Sequence, residues 1–170
     1  VVVDEAYGDY VTAHDWGTMI PVALRQPNVV VLRTFSKIYG LAGLRIGYAV
    51  GMPDTIAGLR RAQRPFTVGQ LAQEAAREAL RYPGRVEERR LENERGRRMI
   101  FDGLLERGID AVPSQANFVY CDLGPDTERL VEELLRRGVI IRTYGDGWSR
   151  VSVGTELENR RFLMALDQSM

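Results

Sequence analysis

Of the 23 basic residues in this chain, Lys37 alone is a lysine, and the other 22 are arginines. Arginine serves wherever a cation on a flexible stem suffices, but it cannot lose its proton near neutral pH and cannot form an imine with an aldehyde. A lysine retained at one position therefore marks a candidate nucleophilic amine, against the blander alternative of one surface lysine left by compositional drift. Other scarcities narrow the class. A single cysteine, Cys121, excludes an internal disulfide, fits a reducing compartment, and lies in the apolar run Ala116–Cys121, where it reads as a buried strand residue. A single histidine, His14, sits in a polar stretch with no second His or Cys to complete a ligand set, so it reads as a surface residue and no metal is expected. No apolar run approaches the roughly 20 residues that a bilayer span needs, and no basic-then-apolar leader is present. A formal charge of zero leaves no overall field to recruit nucleic acid or an anionic membrane. The expectation is a cytoplasmic protein. The chain also lacks an initiator methionine and opens on Val1-Val2-Val3-Asp4, which reads as a buried strand already under way, so a missing N-terminal portion is expected.

What is present is ordinary for a globular chain, with 45% hydrophobic and 27% charged residues. Val1–Val3 forms a first strand and puts Asp4 at its carboxyl end, the edge at which open α/β sheets bind ligands. Tyr7 follows three residues later. Gly8–Pro27 reads as a loop with a short helix. Val29–Leu32 is a second apolar strand, with Lys37 five residues beyond it. Two such strands joined by a long connection suggest a mixed, mainly parallel sheet covered by helices. Leu44–Val50 is a third strand candidate carrying Arg45, so three strand ends are expected to converge near the lysine. Helices follow from Pro53 to Pro65, over Val68–Arg81 with Leu71, Ala75, Ala79 and Leu80 on its inner face, and over Val86–Arg107. Beyond Gly108 the pattern is strand (Ala116–Cys121), helix (Asp126–Arg137, with Leu130, Val131, Leu134 and Leu135 inward), two strands (Val139–Arg142 and Trp148–Val153) and a closing helix, Glu156–Asp167, capped by Thr155. The whole is α/β, dividing near residue 85 into a sheet-bearing part, 1–85, and a small α+β domain, 86–170.

An imine-forming lysine most often holds pyridoxal 5'-phosphate, and that cofactor makes further demands. A carboxylate must keep its ring nitrogen protonated, and Asp4 is placed for it. Its phenolic oxygen wants a donor, which Tyr7 can supply. Its phosphate wants a cation and hydroxyls, and Thr34, Ser36 and Arg45 flank Lys37.

Asp4-Glu5-Ala6-Tyr7, followed by Ser36-Lys37-Ile38-Tyr39-Gly40-Leu41-Ala42-Gly43-Leu44-Arg45-Ile46-Gly47-Tyr48, resembles the signature of the fold-type I pyridoxal-phosphate aminotransferases, most closely their histidinol-phosphate branch. Asn117-Phe118, Gly138–Arg142, Arg150–Thr155 and Glu158-Asn159 are similar to the small domain of that branch, so the resemblance covers essentially the whole chain. It implies that residues 1–85 are the C-terminal part of the large cofactor-binding domain and 86–170 the small C-terminal domain. It implies that Lys37 carries the cofactor and shuttles the substrate's proton. Asp4 pairs with the ring nitrogen, Tyr7 bonds the phenolic oxygen, and Ser36 and Arg45 hold the phosphate. Arg150 contacts the acidic end of the substrate, Arg142 a substrate phosphate, and Asn117 lines the substrate side. The implied partners are an amino donor and a 2-oxo acid, in a homodimer. A glycine-rich or small-residue phosphate turn, a ring-stacking aromatic, an asparagine and a tyrosine from the second subunit are further parts of the family's site that these residues do not hold, so weak cofactor binding is expected of this segment alone. Transamination of histidinol phosphate is the leading expectation. An aromatic amino acid aminotransferase and a threonine-phosphate type decarboxylase are the alternatives on the same scaffold. A dinucleotide-binding turn is excluded, because Gly40-Leu41-Ala42-Gly43 lacks the Gly-x-Gly-x-x-Gly order directly after Leu32.

Overall fold

The computed structural model describes residues 1–170 and divides into two compact units, Val1–Arg90 and Leu91–Met170. In the first, β1 (Val2–Asp4) pairs in parallel with β2 (Val30–Thr34), whose other edge pairs antiparallel with β3 (Gly47–Val50). The connection from β1 to β2 contains a 3₁₀ turn at Gly8–Tyr10 and the short helix α1 (Ile20–Ala23), opened by a proline in its first turn. Ala23, Val29 and Val31 form a small core with Val3, Ile20 and Val22 packed on it. Three further helices follow: α2 (Pro53–Ala62), α3 (Gln70–Ala79) and α4 (Pro83–Leu105). The break between the two units falls within α4.

Several expectations for this unit need correction. The sheet is mixed but not mainly parallel, since one of its two pairings is antiparallel. The segment between β2 and β3 is spent on the tight turns around Lys37 and holds no crossover helix, so the chain doubles back beside the strand it has just left. The third strand starts at Gly47 rather than Leu44. Ala42–Leu44 is a 3₁₀ turn, and Arg45 is left-handed (φ 52°), outside any strand register. Val1 and Val2 are exposed, and β1 is an edge strand in this chain. On α3 the buried residues are Ala72 and Ala76, while Leu71 and Leu80 face out. No helix is long and apolar enough to cross a membrane.

The second unit is one antiparallel sheet in the order β4-β5-β7-β6, built from β4 (Ala111–Val112), β5 (Phe118–Asp122), β6 (Arg142–Gly145) and β7 (Trp148–Ser152), with α5 (Thr127–Arg136) and α6 (Glu156–Asp167). Side chains alternate across a strand. Val119 and Cys121 on β5, with Ser149 and Val151 on β7, enter the core with Ile100, Leu104, Leu134 and Leu166, all at 3% exposure or less. Each such aliphatic side chain contributes roughly 1.5–3 kcal/mol by burial. The opposite face is left to Phe118, Tyr120, Arg142, Tyr144, Trp148 and Arg150. Burial, and secondarily the neighbouring Asp122, pushes the Cys121 thiol up to about 12, so it is an inert core residue.

The expected strand at Val139–Arg142 begins only at Arg142. Gly138 is left-handed, and the amides of Gly138 and Val139 bond back to Leu135 and Leu134, so these residues end α5 as a Schellman cap. Leu130 and Leu134 face inward on α5 as expected, but Leu135 is exposed. At the start of α6, Thr155 and Glu158 form a reciprocal capping box. Asn159 clamps both the N–H and the C=O of Gly154 at the exit of β7. A Cβ at Gly96 would stand 2.6 Å from Val153 and 2.7 Å from the Asn159 amide, so only glycine lets α4 lie this close to that clamp.

Candidate active site

Parallel pairing of β1 with β2 brings their carboxyl ends side by side, and antiparallel pairing sets the beginning of β3 against the end of β2, with Gly47 opposite Thr34. Two strand ends and one strand start thus meet at one edge of the sheet. A cleft of about 290 Å³ opens there, lined by Asp4, Ala6, Leu32, Arg33, Thr34, Ser36, Lys37 and Arg45. Five of the six residues expected at the cofactor lie in it. The sixth, Tyr7, comes to the lysine itself, its ring centroid 5.1 Å from the Lys37 Nζ.

The lysine turn is fixed by what surrounds it. Phe35 and Ile38 are buried at 5% and 2% exposure, which turns the intervening Ser36 and Lys37 toward the open side. The Phe35 N–H donates to the Ile46 carbonyl, and the Phe35 carbonyl accepts from Leu41. Phe35 packs on the rings of Tyr39 and Tyr48, whose hydroxyls burial pushes above their ordinary range. Gly40, at φ 73°, closes the turn by donating to the Lys37 carbonyl at 2.8 Å. From α4, Arg89 donates to the Ile38 carbonyl at 2.8 Å. The Ser36 N–H is held by the Thr34 hydroxyl at 3.0 Å, and one Asp4 carboxylate oxygen accepts from the Ala6 N–H at 3.0 Å. Arg45 adopts its left-handed backbone with its guanidinium on the Ala42 carbonyl at 2.8 Å. A non-glycine residue in that region costs on the order of 1–3 kcal/mol, a strain that recurs at ligand-binding positions.

Behind the cleft lies a buried polar cluster that sequence reasoning missed. Glu5 follows Asp4, and its carboxylate accepts from the Thr18 hydroxyl (2.8 Å), the Met19 N–H (2.7 Å) and Arg33 Nε (2.9 Å). Arg33 precedes Thr34 and also pairs with Asp9 at 2.8 Å. The Glu5 and Arg33 side chains are both more than nine-tenths buried. Burial alone pushes Glu5 up, but the bonds from Met19 and Thr18 and the Arg33 charge outweigh it and hold the carboxyl below its ordinary value. The available signal was positional: the acid and the base each adjoin a residue already assigned to the site.

Asn117, Arg142 and Arg150 belong to the second unit. Arg142 and Arg150 are direct cross-strand partners on β6 and β7, and neither makes an ion pair. The Arg150 guanidinium stacks 4.0 Å from the Phe118 ring centroid, and that of Arg142 lies 5.4 Å from the Tyr144 ring. Asn117 precedes β5, and its Oδ1 is buried with no hydrogen-bond partner.

The donor set of the cleft fits pyridoxal phosphate. A half-buried primary amine outside any ion pair, a carboxylate at a strand end, two hydroxyl side chains and a guanidinium match the aldehyde, ring nitrogen and phosphate that such a group presents. The family model for aminotransferases of class I and II matches residues 1–166. Histidinol-phosphate aminotransferase of Moorella thermoacetica is 43% identical over 98% of this chain and 44% of its own length. Aromatic amino acid aminotransferase of Cutibacterium acnes is 44% identical over 100% of this chain and 48% of its own. Among solved structures, histidinol-phosphate aminotransferase of Sinorhizobium meliloti in complex with pyridoxal-5'-phosphate superposes with a TM-score of 0.90 at 31% identity, covering 99% of this chain and 48% of that one. The chain spans about half the length of the relatives it matches.

Proposed function

This chain belongs to the class I and II aminotransferases, and on that premise we propose that it carries the cofactor wall of an enzyme transaminating histidinol phosphate with 2-oxoglutarate. The observation that carries this is the cleft in which the chain's only lysine meets Asp4, Thr34, Ser36 and Arg45. Residues 1–85 are the C-terminal part of the large cofactor-binding domain and 86–170 the small domain, in a protein acting as a homodimer. Pyridoxal phosphate, when bound, supplies an electron sink for the carbanion formed at the substrate's amino carbon.

The residues divide the remaining work. Lys37 would hold the cofactor through its Nζ and, as a free amine, would carry the proton between the substrate's amino carbon and the cofactor's aldehyde carbon. Its neighbours Phe35 and Ile38 keep the turn from drifting, so the amine stays within reach of one face of the cleft. Asp4 presents a carboxylate to the protonated ring nitrogen, and Tyr7 donates to the phenolic oxygen. Arg45, Ser36 and Thr34 hold the phosphate by charge and hydroxyl donation. Arg150 takes the acidic end of the substrate, Arg142 its phosphate, and Asn117 lines the substrate side.

Preference for a phosphate-bearing substrate rests on Arg142 and Arg150 standing opposite each other without a carboxylate to neutralise either. Like charges facing across a sheet are unfavourable and call for an anion. The second reading, an aromatic amino acid aminotransferase, is favoured by the 44% identity to the Cutibacterium acnes enzyme. Half-reactions of the complete protein with histidinol phosphate, phenylalanine and tyrosine, followed by cofactor absorbance, separate the two. Histidinol phosphate is expected to convert the cofactor at least tenfold more efficiently than either aromatic acid. The reverse order would select the second reading, and release of carbon dioxide from an amino acid would instead indicate a decarboxylase.

A further inference from the structure

Arg150 is bound on one side by a ring rather than by an acid, and this defines a role for Phe118. Elsewhere in the second unit Arg98, Arg107, Arg136, Arg137 and Arg160 make ion pairs, and Arg129 and Arg161 donate to backbone carbonyls. The acid on the face that holds Arg150 is Asp122, which turns its Oδ1 to the Gly124 N–H at 2.9 Å and makes no ion pair. Arg150 is half-buried, and its cross-strand neighbour is the like-charged Arg142. Left alone, such a guanidinium would swing away from its neighbour. The Phe118 ring, 4.0 Å from the Arg150 Cζ, is close enough for direct stacking. A carboxylate in that place would consume the in-plane N–H donors. A ring attracts the cation through its face and leaves the donors at the guanidinium edge free for a planar anion.

We infer that Phe118 is a positioning residue for the substrate anion, holding the Arg150 guanidinium in one plane with its N–H edge unspent. The ligand chemistry is a carboxylate or phosphate oxyanion. The inference rests on the transaminase reading for what the anion belongs to, but the geometry around Arg150 is independent of it. Phe118 is itself held in place, because it lies opposite Ser152 on β7 and the preceding Asn117 carbonyl accepts from the Val153 N–H at 2.9 Å. Tyr144 stands in a looser version of the same relation to Arg142, at 5.4 Å with both residues exposed, so its effect should be smaller.

The test is the affinity of the complete, cofactor-loaded protein for succinate, measured by calorimetry beside the KM and kcat for glutamate. Phe118→Leu is expected to weaken succinate binding and raise the glutamate KM by roughly 2- to 30-fold, the range that a cation–π contact supports, with kcat changed less than about twofold. Phe118→Tyr should stay near the wild type. Stepwise fluorination of the Phe118 ring, which drains its negative face at nearly constant size, should weaken succinate in order of fluorine count and guards against a Leu variant that fails to fold. In an Arg150→Gln background the Phe118 effects should vanish. Unchanged succinate affinity across the fluorinated series, or a fall in kcat without a change in affinity, would overturn the inference. If the wild type transaminates normally while the series is flat, the inference alone fails; if the wild type transaminates no amino acid, the transaminase reading fails first.

Discussion

Asp4 shows how one side chain can be constrained by the backbone and still be free to act. Its Oδ1 accepts from the Ala6 N–H, an Asx-type turn that fixes the carboxylate as the chain leaves β1. Asp4 also lines the cleft. Asparagine in the same place keeps the shape and the turn bond but not the charge. Asp4→Asn should therefore retain bound pyridoxal phosphate, by absorbance titration, while kcat falls by about 10²- to 10³-fold, the usual cost of removing one preorganised electrostatic group. Wild-type turnover in that variant would remove Asp4 from its assigned role. Lys37 is constrained differently, since its anchors are the neighbouring residues: Phe35 and Ile38 by burial, Gly40 by conformation, and the Ile38 carbonyl by the Arg89 guanidinium.

At the scale of elements, the cleft depends on β1 and β2 leaving the sheet together, and the Glu5–Arg33 pair ties those exits. Glu5 is held below its ordinary value of 4.5 in the fold. A carboxyl lowered on folding stabilises fully above its unfolded value, and that contribution is lost as the pH falls through the folded value. Urea midpoints of the wild type should therefore fall as pH drops below about 5, with part of that slope missing in Glu5→Gln, which should also be less stable at pH 7. An identical acid slope in both proteins would contradict the assignment. The elements easiest to read from sequence were those whose signals are local. The alternation from Trp148 to Val153 marked β7, and Thr155 as N-cap marked the start of α6 at Glu156. The Leu44–Val50 segment was harder, because its apolar pattern resembles a strand while Arg45 adopts a left-handed backbone that only the surrounding turn imposes. Val139–Ile141 misled for a similar reason: its β-branched run reads as a strand, but Val139 caps α5 and β6 begins only at Arg142. Nothing local to Arg33 reveals that it pairs with Glu5 and Asp9 across the β1–β2 connection. Asp4, Thr34, Ser36, Lys37 and Arg45 were legible as a set because each is the residue type that one part of a single ligand requires.

For the whole molecule, the two units differ in how much they bury. The second has a core of eleven buried residues, while the sheet of the first is backed by three. The second unit thus has the larger apolar core within these residues. The first, which holds the lysine cleft, leaves Val1, Val2, Phe66 and Leu71 exposed. The most direct measurement follows from the chain's composition. The complete protein is incubated with pyridoxal phosphate, reduced with borohydride to fix the carbonyl carbon to its amine, digested, and mapped by mass spectrometry. The account predicts a pyridoxyl group on the peptide bearing Lys37, and its loss in Lys37→Ala and Lys37→Arg together with transamination. A label on another lysine, or normal turnover in either variant, would contradict it.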